Sequence, residues 1–136
     1  MKTAIRAALA ALVAGVTVLA APAQAATTTQ KTGVCSTGGF GGSFTLRYET
    51  SGGYHHMLGA TTSSGPYIGD AGNLLLRIFY RDGFTTHTIY TRSIPTSGST
   101  SLTLPSGINV PVTAVGNAST TFDNGTESCV ATVSIT

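Results

Sequence analysis

Two runs of strand-forming residues joined by an Asp-Gly pair constrain the fold of this chain more than any other feature. Residues 73–81 (NLLLRIFYR) and 84–92 (FTTHTIYTR) are rich in leucine, β-branched and aromatic residues, of which the last two classes favour strands. Asp82 and Gly83, which separate the runs, suit a type I′ turn, because both central positions of that turn need a positive φ. The pattern therefore predicts a β-hairpin with a two-residue turn at Asp82-Gly83.

The position of the turn decides which side chains of the hairpin share a face. With Asp82-Gly83 as the turn, Tyr80 lies opposite Thr85 and Ile78 opposite His87. We interpret one face as the core side, which carries Leu74, Leu76, Ile78, Tyr80 and Ile89. The other is the predicted ligand face, which mixes guanidinium groups with aromatic rings and carries Arg77, Phe79, Arg81, Phe84 and Tyr90. A register shift of one residue would exchange the two faces.

The first 25 residues have the three parts of a secretory signal peptide. Lys2 and Arg6 give a positive start, residues 7–21 form an apolar run, and Ala23-Gln24-Ala25 matches the small-x-small cleavage pattern. A retained membrane anchor is the alternative, but the apolar run is short for spanning a bilayer. We expect cleavage after Ala25, a secreted extracellular protein, and no membrane insertion after cleavage.

The charge of the chain limits which partners it can bind, and its length limits how many domains it can form. The chain has 7 Lys+Arg and 5 Asp+Glu, but two of the basic residues leave with the signal peptide, so five of each sign remain. This balance does not favour nucleic acid or anionic lipid as a partner. The remaining 111 residues (136 − 25) are enough for one domain, 26–136, and we expect its first residues, 26–32, to be a mobile leader.

A second turn signal near the C-terminus repeats the hairpin pattern. With Asn124-Gly125 as the turn, Thr120 lies opposite Cys129 and Ala118 opposite Ala131, and nearly every inward position is small or apolar. Short strands, frequent turns and the lack of a helical pattern predict an all-β fold. We expect a single antiparallel β-sandwich of seven or eight strands, immunoglobulin-like or fibronectin-like in type.

The two cysteines lie near the two ends of the predicted domain. In an exported chain Cys35 and Cys129 favour a disulfide, and a pair of free thiols is the alternative. The bond would close a loop of nearly a hundred residues, which stabilises by about 4–5 kcal/mol in the chain-entropy model.

Metal and catalytic sites have weak signals in this sequence. His55 and His56 are adjacent, and neighbours on a strand point to opposite faces, so the two cannot chelate one ion together without an irregular backbone. A zinc site would also need His87 and a carboxylate, at spacings that the chain does not show. We expect solvated or rim histidines, no metal and no cofactor. We also expect no enzyme, because the chain lacks the strand–turn–helix context of a Ser nucleophile.

The predicted ligand face is the strongest functional candidate. Flat rings can stack on a ligand, and guanidinium groups can bind hydroxyls or carboxylates. The alternative is structural: the rings pack under residues 63–72 or against a second sheet, with arginine stems covering them. Further rings that could extend the rim are Tyr48, Tyr54 and Tyr67.

Three functions follow from these patterns. The first is a secreted non-enzymatic domain that interacts with an extracellular protein or the cell envelope. The second is a carbohydrate-binding module that uses the predicted ligand face, and the third is a small secreted hydrolase. The partner is therefore an unknown extracellular protein or polysaccharide.

One resemblance agrees with the predicted location. At residues 121–133 (TFDNGTESCVATV) and 51–56 (SGGYHH) the chain resembles small secreted β-rich proteins of Gram-positive actinobacteria. The resemblance covers most of the mature chain, and its motifs are those of turns and strands, so it carries no functional residue. The chain differs from secreted amylase inhibitors of similar origin, which use a Trp-Arg-Tyr turn, because it has no Trp.

Overall fold

The computed structural model describes residues 26–67 and 72–136, which are all-β. The predicted signal peptide, residues 1–25, lies outside the described residues. Within them no helix is long and apolar enough to cross a bilayer. The described residues form nine strands, against the seven or eight predicted: β1 (Thr27–Thr37), β2 (Phe40–Ser51), β3 (Tyr54–Gly65), β4 (Gly72–Asp82), β5 (Thr85–Thr96), β6 (Ser99–Thr103), β7 (Asn109–Pro111), β8 (Val115–Asp123) and β9 (Ser128–Ile135).

The strands form two antiparallel sheets. The five-stranded sheet has the order β1-β2-β3-β6, with β7 also paired to β3, and the four-stranded sheet has the order β5-β4-β8-β9. Apolar side chains from both sheets meet in one core, which includes Phe44 and Leu46 of β2, Leu76 of β4 and Ile135 of β9.

The strands are longer and the loops shorter than the sequence predicts. Residues 27–32, which the sequence predicts to be a mobile leader, lie in β1, which pairs with β2 from Thr27↔Thr50 to Thr37↔Phe40. The predicted loop at 93–100 reduces to two residues, because β5 continues to Thr96 and β6 begins at Ser99. Backbone pairing thus extends through Thr- and Ser-rich segments whose side chains have little apolar surface to signal a strand.

The central hairpin forms, but its predicted register is wrong. Asp82 pairs with Thr85, so the turn residues are Gly83 and Phe84. Gly83 has a φ of 59°, and no residue other than glycine has a positive φ in the described part of the chain. This is the Gly-first arrangement of a type II′ turn rather than the predicted type I′. Tyr80 consequently lies opposite His87.

A β-bulge in β5 shifts the register of the central hairpin once more. Phe79 pairs with Thr88 and Ile78 with Tyr90, so Ile89 is the extra residue. The core side of β4 is nevertheless as predicted: Leu74, Leu76 and Ile78 are fully buried.

The second hairpin, β8–β9, is also displaced by two residues from its predicted register. Phe122 lies opposite Cys129 and Thr120 opposite Ala131. The connection is a four-residue loop, in which the Asn124 side-chain oxygen accepts hydrogen bonds from the amides of Thr126 (2.9 Å) and Glu127 (2.7 Å). Because the displacement is an even number of residues, the predicted inward face is kept.

The predicted disulfide is confirmed, and it joins the two sheets. Cys35 of β1 is bonded to Cys129 of β9, with their Cα atoms 5.7 Å apart. Two residues away, β1 approaches β9 so closely that a Cβ on Gly33 would lie 2.6 Å from the Thr132 carbonyl oxygen. A disulfide is compatible with an extracellular protein.

Candidate binding face

The outward side of the four-stranded sheet carries most of the predicted ligand residues. We call this surface the outer face. Register and strand alternation place on it Arg77, Phe79 and Arg81 of β4, Thr86, Thr88 and Thr91 of β5, and Val115, Asn117 and Ser119 of β8. Arg77 and Arg81 are exposed and Phe79 is half-buried.

Arg77 is held in place on this face by two neighbours. Its guanidinium carbon lies 5.0 Å from the centre of the Phe79 ring, which is cation–π geometry. Its Nη2 and Nε donate to Thr88 Oγ1 at 2.9 and 3.3 Å. Thr88 lies opposite Phe79 on the adjacent strand, so the sheet register builds this cluster. The arginine side chain is therefore oriented before any ligand binds.

The remaining residues of the predicted ligand face have different positions. Arg81 lies two residues beyond Phe79, on the same side of β4, and Phe84 is fully exposed at the turn. Tyr90 is not on the outer face, because the bulge brings it opposite Ile78, where it is half-buried and packs against the core. The structure thus brings Arg77 and Phe79 into contact and places Arg81 next along the same side of β4. Tyr90 does not belong to this face.

The turn end of the central hairpin carries a pair that the predicted register did not bring together. Tyr80 and His87 lie opposite each other, and their rings stack with centres 4.9 Å apart. Both residues are on the core side of the hairpin, where the sequence places Tyr80, and Tyr80 itself packs against the core. Only the two-residue displacement of the register, which the turn type sets, creates this contact.

The adjacent histidines point to opposite faces, as predicted, but His55 is not solvated. It is 6% exposed, its ring lies edge-on to Tyr48 with centres 5.2 Å apart, and its Nδ1 is 2.7 Å from Thr50 Oγ1. Burial, with a smaller contribution from the charge of His56, lowers the pKa of His55 below its usual 6.5. His56 is half-buried on the other side, with Nδ1 2.6 Å from Asn109 Oδ1.

Tyr48 is also buried rather than part of a rim. Its hydroxyl donates to the carbonyl oxygen of Thr136 at 2.9 Å, so it fastens the end of the chain to β2. These contacts give His55 and Tyr48 structural positions. In the described part of the chain, no group of three or more His, Cys, Asp or Glu side chains is placed to hold a metal ion.

The other sheet carries a groove that sequence reasoning missed. It has a volume of about 230 Å³ and crosses β2, β3 and β6 on the outward side of the five-stranded sheet. Gly59 lies in its lining, and Arg47 lies beside it, with Nη2 3.7 Å from where a Cβ of Gly59 would be. The remaining lining is mainly Ser, Thr and Gln, whose alternation with apolar residues signals only an exposed strand face.

Comparison with known proteins adds no relative to this description. No protein-family model, curated protein or solved structure matches the chain.

Proposed function

We propose that the chain is a secreted, non-enzymatic β-sandwich that acts by binding in the extracellular space or at the cell envelope. Support comes from the signal-like residues 1–25, from the disulfide and from two antiparallel sheets that share one core. An immunoglobulin-like or fibronectin-like arrangement is part of this proposal, since such sandwiches present ligand surfaces on a rigid core.

One observation carries the proposal: Arg77 is exposed and yet oriented by its neighbours. An exposed arginine side chain that moves freely loses conformational entropy when it binds a ligand, and that loss weakens binding. Contacts with Phe79 and Thr88 restrict the side chain beforehand. Aromatic rings and guanidinium groups are both enriched at binding interfaces, and here an oriented guanidinium lies beside a ring.

A carbohydrate-binding module is the second candidate, favoured by the groups that surround Arg77. Thr88, Thr91 and Ser119 supply hydroxyl groups and Asn117 an amide, all on the outer face. These side chains can donate to and accept from sugar hydroxyls. Phe84 adds an exposed ring at the turn.

Retention on insoluble material tests both candidates. The mature protein is incubated with washed cell envelopes, peptidoglycan, chitin and cellulose, alongside Arg77→Ala and Phe84→Ala. Arg47→Ala is the matched control, because it removes an exposed arginine from the outward side of the other sheet. We expect retention of the wild type and of Arg47→Ala, and loss of retention in Arg77→Ala and Phe84→Ala.

Two results would overturn the proposal. One is a wild-type protein that none of these materials retains. The other is equal retention of all four proteins, which would exclude the outer face as the binding surface. A hydrolase would be shown by turnover of ester, glycoside or peptide substrates that is lost in His56→Ala or His87→Ala.

A further inference from the structure

The balanced charge of the mature chain conceals an uneven distribution over its surface. On the outer face, Arg77 and Arg81 lie on the same side of one strand, four residues apart. At a rise of about 3.4 Å per residue, their Cα atoms are roughly 13 Å apart along β4. Phe79 lies between them. The outer face therefore carries a cation, a ring and a second cation in a row: Arg77, Phe79 and Arg81. We call these three residues the arginine line.

The described acidic residues lie away from this line. Asp82 follows Arg81 directly, but strand alternation turns it to the opposite side of the sheet. Asp123 is on the outer side, opposite Asn73, which is four residues before Arg77 on β4. Glu49 belongs to the other sheet, and Glu127 lies in the β8–β9 loop with its carboxylate beside Gly38. Among the described residues, the arginine line thus has a local positive charge, although the side chains of the mature chain sum to zero.

The guanidinium of Arg77 keeps donors free for a ligand. Arginine has five N–H groups, and two of the five donate to Thr88 Oγ1. The three that remain can bind a carboxylate or a phosphate, for which a planar guanidinium is well suited. The neutral side chains on either side of β4, Thr91 and Ser119 among them, fit the hydroxyl groups of a sugar.

We propose that the ligand of the outer face is an anionic glycopolymer, a polysaccharide with carboxylate or phosphate groups, that lies along β4 and places these groups at Arg77 and Arg81. This inference rests on the proposed function and specifies the charge of its ligand. The two arginines favour a negatively charged polymer as the ligand. The hydroxyl and amide side chains beside them favour a glycan among such polymers. A nucleic acid is a poorer fit, because DNA-binding proteins commonly neutralise six to ten phosphates, whereas this line has two cations.

Binding measured at two salt concentrations tests the inference. The probes are sodium polygalacturonate, which carries carboxylates, dextran phosphate, which carries phosphates, dextran, which is neutral, and duplex DNA as the nucleic acid. Each is titrated into the mature, disulfide-bonded protein at 20 and 200 mM NaCl. We expect at least one anionic polymer to bind at 20 mM, and its affinity to fall roughly tenfold or more at 200 mM, because about two ion contacts release counterions. Whichever polymer binds more tightly identifies the anionic group.

Variants assign the effect to the arginine line. Arg77→Ala and Arg81→Ala should each lower affinity for the anionic polymer about fivefold to tenfold and reduce its salt dependence. Arg77→Lys keeps the charge but loses the planar fork, and it should fall between wild type and Arg77→Ala. Arg47→Ala, which removes the same charge from the other sheet, should bind like wild type.

Three results would overturn the inference, and they can be told apart from failure of the proposed function. Equal, salt-independent binding of dextran and both polyanions, lost in Arg77→Ala, would keep the outer face but exclude an anionic ligand. Tighter binding of duplex DNA than of either glycopolymer would replace the ligand class. Failure to bind any soluble polymer, while insoluble neutral polysaccharide retains the wild type but not Arg77→Ala, would also exclude the anionic ligand.

Discussion

The two edges of the four-stranded sheet differ in how they meet the other sheet. At one edge, β9 lies against β1, and Cys35–Cys129 joins the two strands. At the other edge, β5 has mostly exposed side chains, with Ile89 and Tyr90 only half-buried over the core. We call these the closed edge and the open edge. The closed edge has buried small and apolar residues in regular register, whereas the open edge has a bulge.

The difference separates the contacts that stabilise the fold from the residues of the candidate binding face. At the closed edge, a covalent bond and close backbone approach fix both sheets. At the open edge, the bulge turns Tyr90 inward and leaves Thr88 to orient Arg77. The candidate binding residues thus lie near the edge that contributes less to the core, as expected when rigid scaffolding supports a functional surface.

The largest expected effect comes from cutting the bond at the closed edge. Replacing both cysteines, Cys35→Ser with Cys129→Ser, should lower the free energy of unfolding by about 4–5 kcal/mol, because 94 residues separate the two cysteines. The melting temperature should fall by at least about 15 °C. Calorimetry of the variant and of the reduced wild type measures this. A melting curve that reductant leaves unchanged would show that the closed edge does not depend on the bond.

Isoleucine truncation at each edge compares the two directly. Ile135→Ala, at a fully buried position in β9, should cost about 2–5 kcal/mol. Ile89→Ala, at the half-buried bulge, should cost about 1–2 kcal/mol, since less apolar area returns to water. Urea unfolding gives both values. Equal losses would remove the distinction between the edges.

A methyl group added at the closed edge tests the close approach of the strands. Gly33→Ala should lower the free energy of unfolding by about 1–3 kcal/mol, because its Cβ would lie 2.6 Å from Thr132 O and the backbone must move. The matched control is Gly39→Ala in the β1–β2 turn, where no atom lies within 4 Å of the new Cβ. Its stability should stay within about 0.5 kcal/mol of wild type. A neutral Gly33→Ala would mean that β1 and β9 are further apart.

The smallest effect is a pH dependence that belongs to neither edge. His55 has a lowered pKa in the folded protein, so the unfolded chain binds more protons as the pH falls. The resulting loss of folding stability is absent above about pH 6.5, the pKa of an unperturbed histidine. The loss grows as the pH falls below that value. Melting temperatures between pH 8 and 5 should fall more for wild type than for His55→Gln. His87→Gln, at an exposed position, should behave like wild type; identical profiles for wild type and His55→Gln would contradict the burial argument.

The faces of β4, β8 and β9 could be predicted from the sequence, but neither the pairing of the strands nor the inward position of Tyr90 in β5 could. In both hairpins the observed turn displaces the register next to it by two residues, and beyond the bulge in β5 the displacement is three. An even displacement keeps the faces, and the extra residue Ile89 belongs to β5 alone, so in β4 Leu76 lies inside and Arg77 outside as predicted. Asp-Gly and Asn-Gly locate a bend, while the choice among turn types depends on how the neighbouring strands pair.

Other features depended on contacts between distant residues. The bulge at Ile89 lies where Ile89 and Tyr90 both pack against the core, and no residue in 84–92 marks it in the sequence. His55 is buried because Tyr48 of β2 lies against it. The sequence of β3 does not indicate which histidine is buried, because each of its two sets of alternating residues contains a histidine and an apolar residue. Strand β1 has few apolar residues and forms through backbone pairing with β2. The disulfide was predictable, because the number of cysteines and the expected export left one economical pairing.

The proposed binding of an anionic polymer to the outer face, with Arg77, Phe79 and Arg81, can be followed residue by residue. Amide chemical shifts of the nitrogen-15-labelled mature protein, followed during titration with short polygalacturonate chains, test it most directly. We expect the changes to concentrate in 77–81, 86–91 and 115–119, and to shrink as salt is added. Changes confined to 45–47 and 59–61, in the groove of the other sheet, or no changes at any polymer concentration, would contradict the claim.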